Sequence, residues 1–322
     1  MKAAVRTRYG SPNILTIQEV DQTRPKSYEI LVRVHATTVN RTDCGILSGY
    51  PVAIRLFTGL TKPKLTTTGT DFAGEVQAVG KKVSRFKIGD KVWGFNDNGL
   101  PSHAKYLAIA EDQPIAIIPA EVTYKQAAAS AEGAHYAYNF INKVDLRAGS
   151  RVMLNGATGA IGSAALQFLK HAGAYVTATA NTKNVDLIKS LEADRVINYE
   201  REDFTQDDER YDFVFDAVGK STFGRCKRLL KPQGIYISSE LGPKAQNPLL
   251  ALITPLLGGK QVKFPVPLNI LRSLNFTNEL LEAGKFRSII DRTYSLGQIQ
   301  EAFRYVASGQ KTGNVVISLD QN

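Results

Sequence analysis

Three glycines at every third position, Gly156, Gly159 and Gly162 in "VMLNGATGAIG", have the clearest chemical use in this chain. An apolar strand precedes them, and an amphipathic helix, Ala160 to Gly173, begins at the second. Glycine lets backbone approach an anion closely, and a helix N-terminus offers N–H groups and the positive end of its dipole. Gly156, Thr158, Gly159, Ala160, Ile161 and Gly162 are therefore read as a cradle for a pyrophosphate. A tight strand-to-helix corner would use the same glycines without a ligand. The spacing departs from the usual dinucleotide fingerprint, so the strand–turn–helix context carries the reading. The next strand ends at Ala180 in "ATANTKN". A site built for NAD places Asp or Glu there to hold the ribose 2′-hydroxyl. Here no acid precedes Asp186, whereas Asn181, Thr182 and Lys183 donate hydrogen bonds and Lys183 attracts a 2′-phosphate. NADPH is expected over NADH.

The elements around this turn alternate between strand and helix. "SRVMLNG", "AYVTATA", "RVINY", "YDFVFDAVG" and "IYISSE" read as strands, with helices between them that include "STFGRCKRLLKPQG". Such alternation predicts a parallel sheet with helices on both faces. Before it, "YEILVRVHATTV", "GEVQAVG" and "KYLAIA" are β-branched runs broken by turn residues, so the first third is expected to be all-β. "KQAAASAEGAHYAYNFINKV", Lys125 to Val144, is Ala-rich and predicts one long helix. The tail returns to helix and strand, closing with "NVVISL".

The composition fits a large core: 322 residues with 43% hydrophobic side chains. A net charge of +10 is spread along the chain without a basic tail, which argues against nucleic-acid binding as a main function. "RCKRLLK" reads as a solvated helix face. Two cysteines, Cys44 and Cys226, cannot build a disulfide framework or a four-thiolate zinc site. With no leader-like apolar run, and with "PLLALITPLLGG" too short to span a bilayer, a cytoplasmic protein without a membrane partner is expected.

Several motifs in order resemble the medium-chain dehydrogenase/reductases, in the zinc-free branch near quinone oxidoreductases and zeta-crystallin. They are "GTDFAGEVQAVGKKVSRFKIGDKVWGF", "NGATGAIG", "YDFVFDAVG" and "RTYSLGQIQEAFRYVASGQKTGNVVISL". The resemblance implies an α/β protein: a GroES-like β-rich catalytic domain, residues 1–123 and 266–322, and a Rossmann doubly wound parallel sheet, residues 124–265. It also implies a cleft between them that holds the nicotinamide. Zinc-holding members take the metal through Cys in C-x-T/S-D, His in G-H-E and a later Cys or Asp. Here the first reads "NRTD" with Asn40, the second "GTD" with Thr70 and Asp71, and "AAASAEGA" offers no cysteine. Zinc wants about three good protein ligands even in an open site, so no metal is expected.

Without a Lewis acid, easily reduced acceptors are favoured, namely quinones and conjugated carbonyls. Asn40, Asp43 and Tyr50 are candidates to meet the developing oxyanion, Asp43 orienting neighbours rather than titrating near neutrality. By resemblance His135 matches a threonine near the nicotinamide, where it would hydrogen-bond the cofactor or supply a proton. Tyr199 matches an aromatic near the adenine, Val218 ends the fourth strand beside the cofactor, and Asn314 follows a position that returns to it. The alternatives are an alcohol or aldehyde dehydrogenase of the same fold, and an NADPH-binding sensor or RNA binder. Leu241–Pro267 reads as a lid or a dimer surface. "GIYISS" reads as the edge strand of the Rossmann sheet, able to pair across the two-fold of a homodimer.

Overall fold

The structure is a computed structural model describing residues 1–320. It opens with β1 (Lys2–Val5), β2 (Thr16–Glu19), β3 (Glu29–Val39), α1 (Arg41–Ser48) and α2 (Arg55–Thr58). Then come β4 (Asp71–Val79), β5 (Lys91–Phe95), β6 (Tyr106–Ala110), β7 (Ile115–Ile117), α3 (Tyr124–Ala129) and α4 (Glu132–Ile141). The alternating stretch holds β8 (Arg151–Asn155), α5 (Ala160–His171), β9 (Tyr175–Ala180), α6 (Val185–Ser190), β10 (Arg195–Asn198) and β11 (Tyr211–Asp216). It continues through α7 (Phe223–Cys226), β12 (Leu230–Ser238), α8 (Gln246–Leu257) and β13 (Gln261–Lys263). The chain closes with α9 (Ile270–Glu282), β14 (Ile290–Ser295), α10 (Ile299–Ala307) and β15 (Asn314–Ser318). It divides into two units, Met1–Glu132 with the stretch from Asn269 onward, and Gly133–Leu268.

The first unit is built on β3, whose eleven residues pair antiparallel with β4, β6 and β15. The sheet runs β14-β15-β3-β4-β5-β7 with β6 beside β3, and β1 and β2 form a separate ribbon. Alternation along β3 buries Ile30, Val32 and Val34 with Phe72, Val76 and Leu107. A second cluster packs Phe303, Ile299 and Val306 of α10 against Val39, Val315 and Ile317. Both clusters lie along β3, so the chain leaving its end at Asn40 is firmly anchored.

In the second unit six parallel strands run in the order β10-β9-β8-β11-β12-β13. The order reverses between β8 and β11, and at such a switch point the carboxyl ends of the strands open a crevice. Its core gathers Met153, Val214, Tyr211, Tyr236, Leu229 and Val262.

Four expectations are corrected. The first third is not all-β, because the helices α1 and α2 stand between β3 and β4. The helix over Lys125 to Val144 is two helices, because α3 stops at Ser130, whose Oγ donates back to Gln126 O at 2.7 Å. "STFGRCKRLLKPQG" keeps only the single turn α7 and a 3-10 turn. Leu229 and Leu230 are both buried, and Leu230 already starts β12 opposite Tyr211. "RCKRLLK" is thus an irregular stretch and not a helix face. β12, which contains most of "GIYISS", is not the edge strand, since β13 pairs on its outer side.

Candidate functional site

In the second unit the glycine turn follows β8 at its carboxyl end, and the three glycines differ in what the protein demands of them. Gly156 sits at φ +83°, the left-handed region, and a Cβ there would come within 2.7 Å of Val218 Cβ. A Cβ on Gly162 would lie 2.1 Å from Gly156 O, so the first turn of α5 packs directly on the loop. Gly159 is different. A Cβ there meets only Gly156 O at 3.7 Å, ordinary contact, and its φ of −76° suits any residue. Protein packing therefore leaves the space at Gly159 open. Gly159 is also the N-cap of α5, and no side chain caps it. A twelve-residue helix thus presents the amides of its first turn, at Ala160, Ile161 and Gly162, without a side-chain acceptor. Thr158 lies half-buried within the loop. An open glycine facing uncapped helix amides fits a diphosphate.

A buried network that sequence reasoning missed holds this loop. Asp216, at the end of β11, accepts from Asn155 Nδ2 at 3.0 Å, Gly219 N at 3.0 Å, Ser221 N at 2.9 Å and Tyr236 OH at 3.2 Å. Val218 N points at the same carboxylate from 3.4 Å. Asn155 Oδ1 accepts from Thr179 Oγ1 at 2.9 Å, and Gly156 N donates to that hydroxyl at 2.9 Å. The sequence signal was present: Asn155, Thr179 and Asp216 each stand at or next to the last residue of an apolar strand.

Asn181 and Thr182 follow β9, and the Oδ1 of Asn181 is buried with no hydrogen-bond partner. Lys183 is exposed on the 3-10 turn Thr182–Asn184. Tyr199, half-exposed, donates its backbone N–H to Ala180 O at 3.1 Å, beside the same strand end. Thr182 is already engaged by Glu200, its backbone N at 3.0 Å and its Oγ1 at 2.7 Å from Oε2. An acid therefore does stand at the end of β9, supplied from beyond β10.

His135, on α4 in this unit, is buried, and burial pulls its pKa down to about 4. A pKa lowered in this way favours the neutral imidazole, which has one N–H donor and one nitrogen acceptor.

In the first unit Asn40 ends β3 and caps α1. Its Oδ1 accepts from Asp43 N at 2.8 Å while Asp43 Oδ2 accepts from Asn40 N at 3.0 Å, a reciprocal capping box. The Asn40 amide nitrogen donates to Thr70 Oγ1 at 2.7 Å and lies 3.3 Å from Asp71 Oδ2 and 3.4 Å from Thr38 Oγ1. Asp71 also accepts from Thr38 N at 2.7 Å, from Thr37 Oγ1 at 3.1 Å and from the Thr38 hydroxyl. Both polar ends of Asn40 make hydrogen bonds inside the protein, its amide nitrogen to Thr70 and its Oδ1 to Asp43 N. Asp43 does orient Asn40. Burial, reinforced by Asp71, also raises its carboxyl well above the ordinary range. Burial likewise lifts Asp71 to about 6 and raises Glu132, which accepts from Thr42 Oγ1 at 3.1 Å and is countered by Lys311.

Tyr50 is 73% exposed and stands beyond the Gly49 cap at the far end of α1. Eight helical residues separate it from Asn40, about 12 Å along the axis, so the two do not meet. Asn314 opens β15 next to the Val315–Val39 pair, at the sheet end that carries Asn40. Its side-chain nitrogen is tied to Ile289 O at 3.0 Å.

These donors do not fit zinc. Where zinc-holding relatives place Cys and His, this chain has an amide and a hydroxyl bonded to each other. Among the described residues no group of three or more His, Cys, Asp or Glu is placed to hold a metal ion. Cys44 is half-buried, and burial raises its thiol to about 12, far from a ready thiolate.

A GroES-like unit on a mixed, mainly antiparallel sheet and a Rossmann-like parallel unit with a glycine cradle define a dehydrogenase architecture. Residues 26–121 match the alcohol dehydrogenase GroES-like domain family, and residues 191–317 match the family described as zinc-binding dehydrogenase. The chain belongs to the medium-chain dehydrogenase/reductase superfamily. It is 30% identical to a 2-methylene-furan-3-one reductase of Solanum lycopersicum over 331 residues, 98% of this chain and 79% of that one. It is 28% identical to a chloroplastic NADPH-dependent alkenal/one oxidoreductase of Arabidopsis thaliana, with the same coverage of both chains. Among solved structures, a quinone oxidoreductase from Coxiella burnetii superposes with a TM-score of 0.86 at 26% identity, covering 99% of each chain.

Two predictions follow from this geometry. Gly162→Ala drives a Cβ into Gly156 O and is expected to destabilise the fold by more than about 2 kcal/mol in urea unfolding. Gly159→Ala leaves the unfolding midpoint unchanged and weakens dinucleotide binding about tenfold or more in a fluorescence titration. Equal losses of stability in both variants would remove the distinction.

The second concerns Asp71. Its folded-state pKa of about 6 exceeds the unfolded value, so the folded state binds the extra proton and this residue's contribution falls as pH rises through about 6. Asp71→Asn cannot titrate. The stability advantage of wild type over this variant is expected to shrink by about 2 kcal/mol between pH 4.5 and 7.5. A constant or widening gap would contradict the raised pKa.

Proposed function

We propose that this protein is an NADPH-using, zinc-independent oxidoreductase that delivers hydride to a quinone or to a carbonyl conjugated with a carbon–carbon double bond. One observation carries the acceptor class: the Asn40–Thr70–Asp71 set turns its lone pairs and N–H groups on one another and leaves no ligand set for a Lewis acid. Acceptors that take hydride without metal activation then remain. The reductase and oxidoreductase names of the relatives support the same class.

The cofactor, when bound, supplies the hydride from its nicotinamide. The amides at Ala160, Ile161 and Gly162 receive the pyrophosphate, with Gly156, Thr158 and Gly159 shaping the approach. Asn181, Thr182 and Lys183 meet the ribose 2′ substituent. Tyr199 flanks the adenine, and Val218 closes the loop above Gly156. His135, neutral, hydrogen-bonds rather than protonates. In an enone the β-carbon takes the hydride, charge develops on the carbonyl oxygen, and the α-carbon takes a proton from water. Tyr50, whose exposed phenol has no partner among the described residues, is the donor assigned to that oxygen. Asn40, Asp43 and Asn314 are assigned to the end of the sheet where β3 and β15 pair. A cytoplasmic setting is proposed from the low thiol count and the absence of a leader-like apolar run, while the Arabidopsis relative is named chloroplastic.

The test is NADPH oxidation by chelator-treated protein across quinones, enones and plain aldehydes. Turnover with quinones or enones that chelation leaves intact is expected. Turnover with plain aldehydes that chelation abolishes would favour the metal-dependent dehydrogenase. Tight NADPH binding with no turnover on any acceptor would favour a sensor.

A homodimer is proposed through the three-residue edge strand β13. Val262 N donates to Thr254 Oγ1 at 2.9 Å, which ties β13 to α8, and α8 exposes Leu249, Leu252, Leu256 and Leu257. An open edge continuous with exposed leucines suits pairing with a second copy across a two-fold. Light scattering should give twice the monomer mass; a monomeric mass removes this assignment.

A further inference from the structure

The acid missing from the end of β9 is supplied by the chain beyond β10. β10 pairs in parallel with β9, with Asn198 opposite Ala180, so residues 199 and 200 emerge at the same sheet end as Asn181 and Thr182. Tyr199 N donates to Ala180 O at 3.1 Å, and Glu200 N donates to Asn198 Oδ1 at 3.1 Å. These bonds fix the direction of the short segment. Glu200 Oε2 then accepts from Thr182 N at 3.0 Å and from Thr182 Oγ1 at 2.7 Å. Asn198 Nδ2 donates to the same hydroxyl at 2.9 Å, which leaves the Thr182 proton for Glu200. The Thr182 hydrogen bonds, with Arg201 and Lys183 adding attraction, hold the Glu200 carboxyl below its ordinary range, so it is ionised at neutral pH.

We infer that Glu200 sets the cofactor preference of this site, by seating a negative charge on the two Thr182 donors that a 2′-phosphate would otherwise take. The inference rests on reading Asn181–Lys183 as the 2′ end of a dinucleotide site. A 2′-phosphate must displace Glu200 from Thr182 or bind beside it, and either route opposes the attraction of Lys183. A 2′-hydroxyl faces no such conflict, since it donates to a carboxylate as it does in sites that carry the acid on the preceding strand. The result is a site that accepts NADPH and retains NADH, with a preference narrower than Lys183 alone would give. Sequence order hides this, because Glu200 lies 18 residues beyond Thr182 and reaches it only through the β9–β10 pairing.

The experiment is a titration of the full chain with NADPH and with NADH, without any acceptor, for wild type, Glu200→Gln and Glu200→Ala. The Gln variant keeps an acceptor for Thr182 and removes only the charge; the Ala variant removes both. The ratio of NADPH to NADH affinity is expected to rise about fivefold or more in both variants, as loss of one like charge at contact distance near water implies. The gain should fade in about 1 M salt, where the screening length is about 3 Å. A ratio unchanged in both variants, including an equal loss of both affinities, would overturn the inference and leave Glu200 as a cap for the turn. Failure of wild type to bind either cofactor would instead overturn the reading of the site itself.

Discussion

One buried carboxylate, Asp216, fixes the working end of the parallel sheet. A charge without solvent is costly unless donors surround it, and Asp216 is met by the Asn155 amide, the Gly219 and Ser221 backbone and the Tyr236 hydroxyl. These donors belong to β8, to the turn after β11 and to β12, so satisfying one side chain aligns three neighbouring strand ends. Through Asn155 and Thr179 the same constraint reaches Gly156 N, the first amide of the glycine turn. The shape of the cradle is thus set by a residue a strand away, and the glycines only permit what the network imposes.

That division explains what the sequence could reveal. The glycine turn was legible because strand, turn and helix start are contiguous, and each residue's part follows from local rules. The parallel sheet was legible because strand and helix alternate along the chain, whereas its strand order, and with it the switch point, was not. Nor were Glu200 and β13. Glu200 acts through strand pairing, which no spacing along the chain encodes. β13 is three residues in a polar and apolar mixture, and only its hydrogen bonds to β12 make it a strand. Leu229 and Leu230 misled in another way: two adjacent buried leucines fit a helical stripe, but one ends a 3-10 turn and the other begins β12.

The candidate residues of the first unit divide on the same principle. Their identities at Asn40, Thr70 and Asp71 could be compared with a zinc-holding pattern from sequence alone. That Asn40 spends its amide on Thr70 and Asp71 could not, because β3 and β4 bring those residues together across 30 positions. A hydrogen-bonded amide and a metal ligand make opposite demands on the same atoms. The ligand must aim a lone pair at the ion, whereas Asn40 Oδ1 is already committed to Asp43 N.

The same set shows how a protein can bury acids at a position without a metal. Asp43, Asp71 and Glu132 all lie out of solvent, and burial raises the pKa of each. Raising a carboxyl toward protonation removes charge and adds a donor, so each acid can bond an acceptor as well as a donor. Thr37, Thr38 and Thr42 supply hydroxyls that can rotate to serve either form. Lys311, with its own pKa lowered by burial, and Arg41 are the cations that limit the rise at Glu132. The lone pairs and N–H groups of Asn40, Thr70 and Asp71 are thus spent on one another, the opposite of what a set of metal ligands requires.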